Sequence, residues 1–190
     1  MIYLDYAANT PVNEEVLAAF CKAARQYQGN ANSKHNAGLA AKAEMERSTI
    51  SVANLLGVKP AEIIFTSGAT ESNNTAIKGL VQAAQGLGKH IISTPLEHSS
   101  VAGCLRTLQK QGYEVDYLSL QADGKINLPE LQAKLRSDTI LLAICAVDSE
   151  LGTIQPLAEI VKILQNYPHC RLHVDATQAI GKIDFALRGI

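Results

Sequence analysis

The sequence predicts an α/β fold, a mostly parallel sheet with helices on both faces. Three observations carry that expectation. Short apolar runs near residues 62–65, 90–93, 114–119, 139–146 and 171–175 alternate with helix-period segments near 71–84, 100–111, 128–135 and 157–167. Strand–helix alternation of this kind is the signature of parallel strands joined by crossover helices. The links, such as Gly86-Leu87-Gly88 and Gln121-Ala122-Asp123-Gly124, are of turn length, so no domain boundary is expected beyond about residue 15. A chain of 190 residues that is 47% hydrophobic also has enough apolar side chains for one sizeable core.

In chain order, the first segment is Tyr3-Leu4-Asp5-Tyr6-Ala7-Ala8-Asn9-Thr10-Pro11, too short for a domain and expected to be an arm over residues 1–15. Asn13 is placed to cap a helix over residues 14–26. Residues 29–38, Gly-Asn-Ala-Asn-Ser-Lys-His-Asn-Ala-Gly, are turn formers and predict a loop containing His35. Leu39, Ala43, Ile50, Ala53 and Leu56 recur at helical spacing, and Gly57 supplies a stop. The alternating region fills residues 62–175, and no internal repeat or low-complexity tract interrupts it.

Composition excludes several classes of function. The formal net charge is −1 and the basic residues are scattered, so neither nucleic acid nor an anionic membrane is expected as a partner. Cys21, Cys104, Cys145 and Cys170 show no CxxC spacing and lie in no metal-ligand cluster, so no metal site is expected and the thiols read as reduced. No window approaches membrane-spanning length and no leader pattern opens the chain, which makes a cytoplasmic location the default expectation.

The chemistry concentrates where strands end. Asp175 closes the apolar run Leu172-His173-Val174, and in an open α/β sheet the carboxyl ends of the strands face the ligand crevice. An aspartate there either caps the next helix through Thr177 or Gln178, or serves a ligand, and local pattern leaves both readings open. Residues 63–74 run from an apolar stretch through Thr66-Ser67-Gly68-Ala69-Thr70 into a helix. Small side chains before a helix N-terminus suit a phosphate, although Ser67, Thr70 and Ser72 are equally good capping residues. The spacing is neither GxGxxG nor a Walker A loop, which argues against dinucleotides and nucleoside triphosphates. His98 follows the next strand and falls on the same edge. A carboxylate beside a heterocyclic nitrogen favours the protonated ring, the electron sink that pyridoxal phosphate chemistry requires, and an imidazole over that ring can move protons.

Five segments together resemble the cysteine desulfurases, NifS/IscS-like fold-type I pyridoxal phosphate enzymes of the class V aminotransferase group. They are residues 3–11, Phe65-Thr66-Ser67-Gly68-Ala69-Thr70-Glu71-Ser72-Asn73-Asn74, Glu97-His98, Glu150-Leu151-Gly152-Thr153-Ile154-Gln155-Pro156, and His173-Val174-Asp175-Ala176-Thr177-Gln178. The resemblance implies that Ala69 and Thr70 bind the cofactor phosphate and that His98 stacks on the ring and acts as acid/base. It implies that Asp175 pairs with the pyridine nitrogen, that Gln178 bonds the phenolic oxygen, and that His35 lies near the entrance. Where the family commonly reads Val-Asn-Asn-Glu, this chain reads Val147-Asp148-Ser149-Glu150, so a cofactor contact falls to the shorter Ser149.

The resemblance further implies L-cysteine as substrate, L-alanine and persulfide sulfur as products, a supply of sulfur to iron–sulfur cluster assembly, and a homodimer. The family's Ser-x-His-Lys motif, which supplies the Schiff-base lysine, and its acceptor cysteine are not found in these residues, and Lys182 follows Asp175 too closely to serve. Residues 16–190 are therefore expected to be a partial pyridoxal phosphate-binding large domain, lacking the last strands and the C-terminal small domain. Such a half is expected to be inactive alone, and to pair with a C-terminal piece or to self-associate through open sheet edges. A non-enzymatic remnant, and half of a selenocysteine lyase or aminotransferase, are the alternatives.

Overall fold

The structure, a computed structural model, describes residues 2–184. Two compact units divide the chain, Met1–Ile64 and Phe65–Ile190.

In the first unit, helix α1 spans Glu14–Gln26, and the side chain of Asn13 accepts from the amides of Glu15 (2.8 Å) and Val16 (3.3 Å). Acids in its first turn and Arg25 in its last complement the helix dipole, yet none of its residues is buried. Helix α2 spans Asn36–Leu56 and begins three residues before the apolar period does. The cause is His35, whose Nδ1 accepts the Gly38 amide at 3.2 Å and caps the helix. Gly38 is required by close approach, because a Cβ there would lie 2.4 Å from the Ser33 carbonyl oxygen. Gly57 ends α2 at φ 69°, a left-handed conformation that a side chain would strain.

The strand expected at 62–65 does not form. Pro60–Glu62 is a 3-10 turn in which the Glu62 carboxylate accepts the Lys59 amide at 2.7 Å, and the residues that follow pair with no strand among the described residues. The run Ile63-Ile64-Phe65 has strand-like side chains, but a strand is completed by a neighbour's hydrogen bonds. Here Ile64 is 79% and Phe65 63% exposed.

The second unit holds a four-stranded sheet, with β1 His90–Ser93, β2 Glu114–Tyr117, β3 Thr139–Cys145 and β4 Arg171–Asp175. The order is β2-β1-β3-β4 and every pairing is parallel. Helices α3 Ala69–Ala83 and α4 Ser99–Lys110 contribute Ile77, Val81, Val101, Leu105 and Leu108 to one core, which also contains Ile91, Leu141 and Ala143. Helices α5 Leu128–Lys134 and α6 Leu157–Leu164 contribute Leu131, Leu157, Ile160 and Leu164 to a second, which contains Ile92, Leu142 and Ile144. The alternation along β3 breaks once, since Ile140 and Leu141 both join the first core. The register shifts between His90 and Ile91 at that point, so an extra β3 residue is accommodated and the inward sequence slips by one.

The order β2-β1-β3-β4 reverses direction between β1 and β3, which is where an open parallel sheet leaves a crevice beyond its carboxyl ends. Among the described residues no helix is long and apolar enough to cross a membrane.

Candidate active site

Asp175 is the last residue of β4, paired in register with Cys145 at the end of β3. Its Oδ1 accepts the Thr177 amide at 3.0 Å, and its Oδ2 accepts from Asn73 Nδ2 at 2.8 Å. Burial pushes its pKa up, but the hydrogen bonds from Thr177 and Asn73, with His173 nearby, outweigh burial and the net shift is downward. The carboxylate is thus held ionised at the strand end.

Asn73 lies on α3 and is 4% exposed. Its amide nitrogen also reaches Ser100 Oγ at 2.9 Å, and its oxygen lies 3.0 Å from His173 Nε2. Ser100 in turn meets His98, whose Nδ1 is 2.8 Å from Ser100 Oγ and 3.2 Å from the Ser100 amide. His98 is the N-cap of α4, an exposed side chain at the mouth of the β1–α4 loop. A continuous chain of hydrogen bonds therefore joins Asp175 to His98.

The start of α3 has no side-chain cap at Gly68. Its first-turn amides, including those of Ala69 and Thr70, have no intrahelical acceptor by the geometry of a helix end. Among the described residues, a Cβ at Gly68 would meet nothing within 4 Å, which leaves space above the turn. Ser67 is committed elsewhere, its amide and hydroxyl donating to Glu71 at 2.7 and 2.6 Å, which lowers the Glu71 pKa. Asn74 ties this turn to α4 by donating to the carbonyls of Thr70 (3.0 Å) and Ser100 (3.3 Å).

Two further residues complete the edge. Ser149 is exposed in the turn after β3, where the Asp148 carboxylate accepts the Glu150 amide at 3.0 Å. Gln178 is partly buried in the turn after β4 and hydrogen-bonds Lys182. The hydrogen-bonded set thus joins His98 and Asp175 through Asn73 and Ser100, while Ser149 lies outside it. His35 belongs to the first unit and caps α2.

Asn73 and His173 occur within the quoted motifs without attracting a role of their own. Glu97 is likewise a residue whose environment only the fold reveals. It is 8% exposed, and its Oε1 accepts from Thr94 Oγ1 (2.8 Å) and the Cys145 amide (2.9 Å), while its Oε2 has no hydrogen-bond partner among the described residues. Burial raises its pKa to about 7, against the opposing hydrogen bonds from Thr94 and Cys145. Burial, followed by the charges of Glu97, Asp148 and Asp175, also drives the neighbouring Cys145 thiol strongly upward.

A parallel sheet thus carries an ionised aspartate, an exposed histidine and an uncapped helix turn on one carboxyl edge, the arrangement of an α/β fold with a ligand crevice at that edge. The class-V aminotransferase family profile matches residues 2–190, and the chain belongs to that family. The chain is 44% identical over 182 residues to a NifS/IcsS protein homolog from Lactobacillus delbrueckii subsp. bulgaricus, covering 96% of this chain and 47% of that protein. Human cysteine desulfurase is 44% identical over 183 residues, 96% of this chain and 40% of that enzyme. The solved structure of a NifS-like protein superposes with a TM-score of 0.95 at 38% identity, covering 98% of this chain and 51% of that one. The chain spans about half the length of these relatives.

Proposed function

We propose that this chain supplies the cofactor-binding half of a pyridoxal phosphate-dependent cysteine desulfurase, taking L-cysteine to L-alanine and delivering sulfur as an enzyme-bound persulfide. The carrying observation is the Asp175 carboxylate, ionised and fixed by Asn73 and Thr177 on the edge that also bears His98. Pyridoxal phosphate, when bound, supplies an electron sink for the amino acid substrate. Asp175 would hold the proton on the pyridine nitrogen, since a neighbouring fixed negative charge favours the protonated ring. The open space over Gly68 and the amides of Ala69 and Thr70 fit a phosphate, which the helix dipole also favours. His98 would cover the ring and move protons, and Gln178 would bond its phenolic oxygen. Ser149 stands where the family commonly has asparagine, and its shorter hydroxyl would lose that cofactor contact or make it through water.

The three buried cysteines support a sulfur acceptor other than themselves. Burial is the leading cause that raises the pKa values of Cys104, Cys145 and Cys170, that of Cys170 to about 12, and a thiol kept from ionising is a poor nucleophile. On this reading the chain alone turns over no cysteine, because neither the covalent lysine nor the acceptor thiol is among its candidates.

The test is titration of the full chain with pyridoxal 5′-phosphate at neutral pH, followed by absorbance. The expected result is a spectral change that Asp175→Ala abolishes and that His98→Ala weakens about tenfold, the worth of one ring contact. A response indifferent to Asp175→Ala, or none at all, overturns the cofactor reading. Release of sulfide and alanine from cysteine by the chain alone, lost in Asp175→Ala, overturns the need for further residues.

A further inference from the structure

The hydrogen bonds from Asp175 to His98 fix proton positions that no single residue type decides. An ionised carboxylate only accepts, so the Asn73 atom facing Asp175 Oδ2 at 2.8 Å is the amide nitrogen. Its second hydrogen goes to Ser100 Oγ at 2.9 Å, and its carbonyl oxygen, 3.0 Å from His173, must then receive the proton of Nε2. From the other end, the Ser100 backbone amide can only donate, so His98 Nδ1, 3.2 Å away, is an acceptor and carries no proton. Ser100 Oγ, 2.8 Å from the same nitrogen, donates its hydroxyl proton there and keeps its lone pairs for Asn73. At the Asn73–Ser100 bond a donor therefore faces an acceptor. Every polar atom of Asn73 is used in one orientation.

We propose that Asn73 is a positioning residue that couples the Asp175 carboxylate to the proton position of His98 through Ser100. His98 is thereby held as the neutral tautomer with its proton on Nε2 and its lone pair occupied. The ring's proton then lies on Nε2, the nitrogen that Ser100 does not engage, and Nε2 is the atom that would donate to a bound cofactor or substrate at this edge. This consequence rests on the cofactor reading; the proton positions do not.

The discriminating experiment needs no cofactor. Long-range ¹H–¹⁵N correlation on the ¹⁵N-labelled full chain at neutral pH reads the tautomer of each histidine. The expected wild-type spectrum shows Nε2-protonated, Nδ1-unprotonated rings for both His98 and His173. Asn73→Ala is expected to reduce that preference several-fold at both histidines, and Ser100→Ala to reduce it at His98 alone. His90, bonded to Thr139 and Asp116, reports that the sheet is intact in each variant. A residue that merely joined α3 to β4 would not transmit to His98. The proposal is overturned by an Nδ1-protonated His98 in the wild type, or by a His98 that ignores Asn73→Ala while His90 is unchanged. Should Asn73→Ala unfold the chain, the wild-type tautomers and Ser100→Ala decide. Tautomers as stated with no Asp175-dependent response to pyridoxal phosphate would leave the relay standing and remove the cofactor reading; the converse result removes only the relay.

Discussion

Glu97 is the residue whose ionisation has most to say about stability. Its carboxyl is buried with one oxygen unpartnered among the described residues, and burial raises its pKa to about 7 in the folded chain, from the ordinary carboxylate value of 4.5. The folded state therefore binds a proton that the unfolded state has lost between those two values, and stability must fall as pH rises through that window. Above about pH 7 the loss levels off, with a total of roughly 3 kcal/mol from the linkage relation. Glu97→Gln keeps an acceptor for the Cys145 amide and removes the titration, so its urea-unfolding free energy should vary less between pH 5 and 7 than that of the native chain. Equal slopes for the two proteins would show that Glu97 is not the group responsible. The positions of Asp175, at the end of a strand, and of His98, in the loop that follows another, are legible because each lies in a short recognisable motif. Asn73 and Glu97 were not, because their meaning lies in contacts 102 and 48 residues away. A buried amide or acid looks in sequence like any helix or loop polar residue.

At the scale of elements, the alternation of strand and helix is readable throughout residues 90–175, most plainly where burial on both faces demands an apolar run and least at β2, which is only partly buried. β3 is the extreme case, buried along its whole length. The expected strand at 62–65 failed for the opposite reason, since side-chain preference can nominate a strand but only a neighbour completes it. The two-sided burial of β3 has a measurable consequence at Leu142, which is fully buried in the core shared with Ile160 and Leu131. Leu142→Ala removes several methyl and methylene groups from a site closed by two helices and adjacent strands, so it should cost ~2–5 kcal/mol by urea denaturation. A loss under about 1 kcal/mol would mean that this face collapses onto the gap, contrary to a tightly packed core.

Across the whole molecule, burial is unevenly shared. Both hydrophobic cores lie in the second unit, whereas α1 buries nothing and α2 buries only Gly38, Ala41 and Ala53. A helix of 13 residues is marginal in water without a packed face, because nucleation is costly and each further residue adds little. Val16 and Phe20, four positions apart on one side of α1, are exposed, with Phe20 at 71%. Local opening free energies range from near zero at unpacked segments to the global value in a core strand. Native-state hydrogen exchange should therefore find α1 amides protected about a hundredfold less, or weaker still, than those of Leu141, Leu142 and Ile144 in β3, a gap of a few kcal/mol. Measuring at two protein concentrations separates two origins of any excess protection. Protection of α1 that rises with concentration assigns the cover over Val16 and Phe20 to a second copy of the chain. Protection equal to that of β3 at both concentrations would show that α1 is held as firmly as the sheet, and would contradict the burial pattern from which the prediction starts.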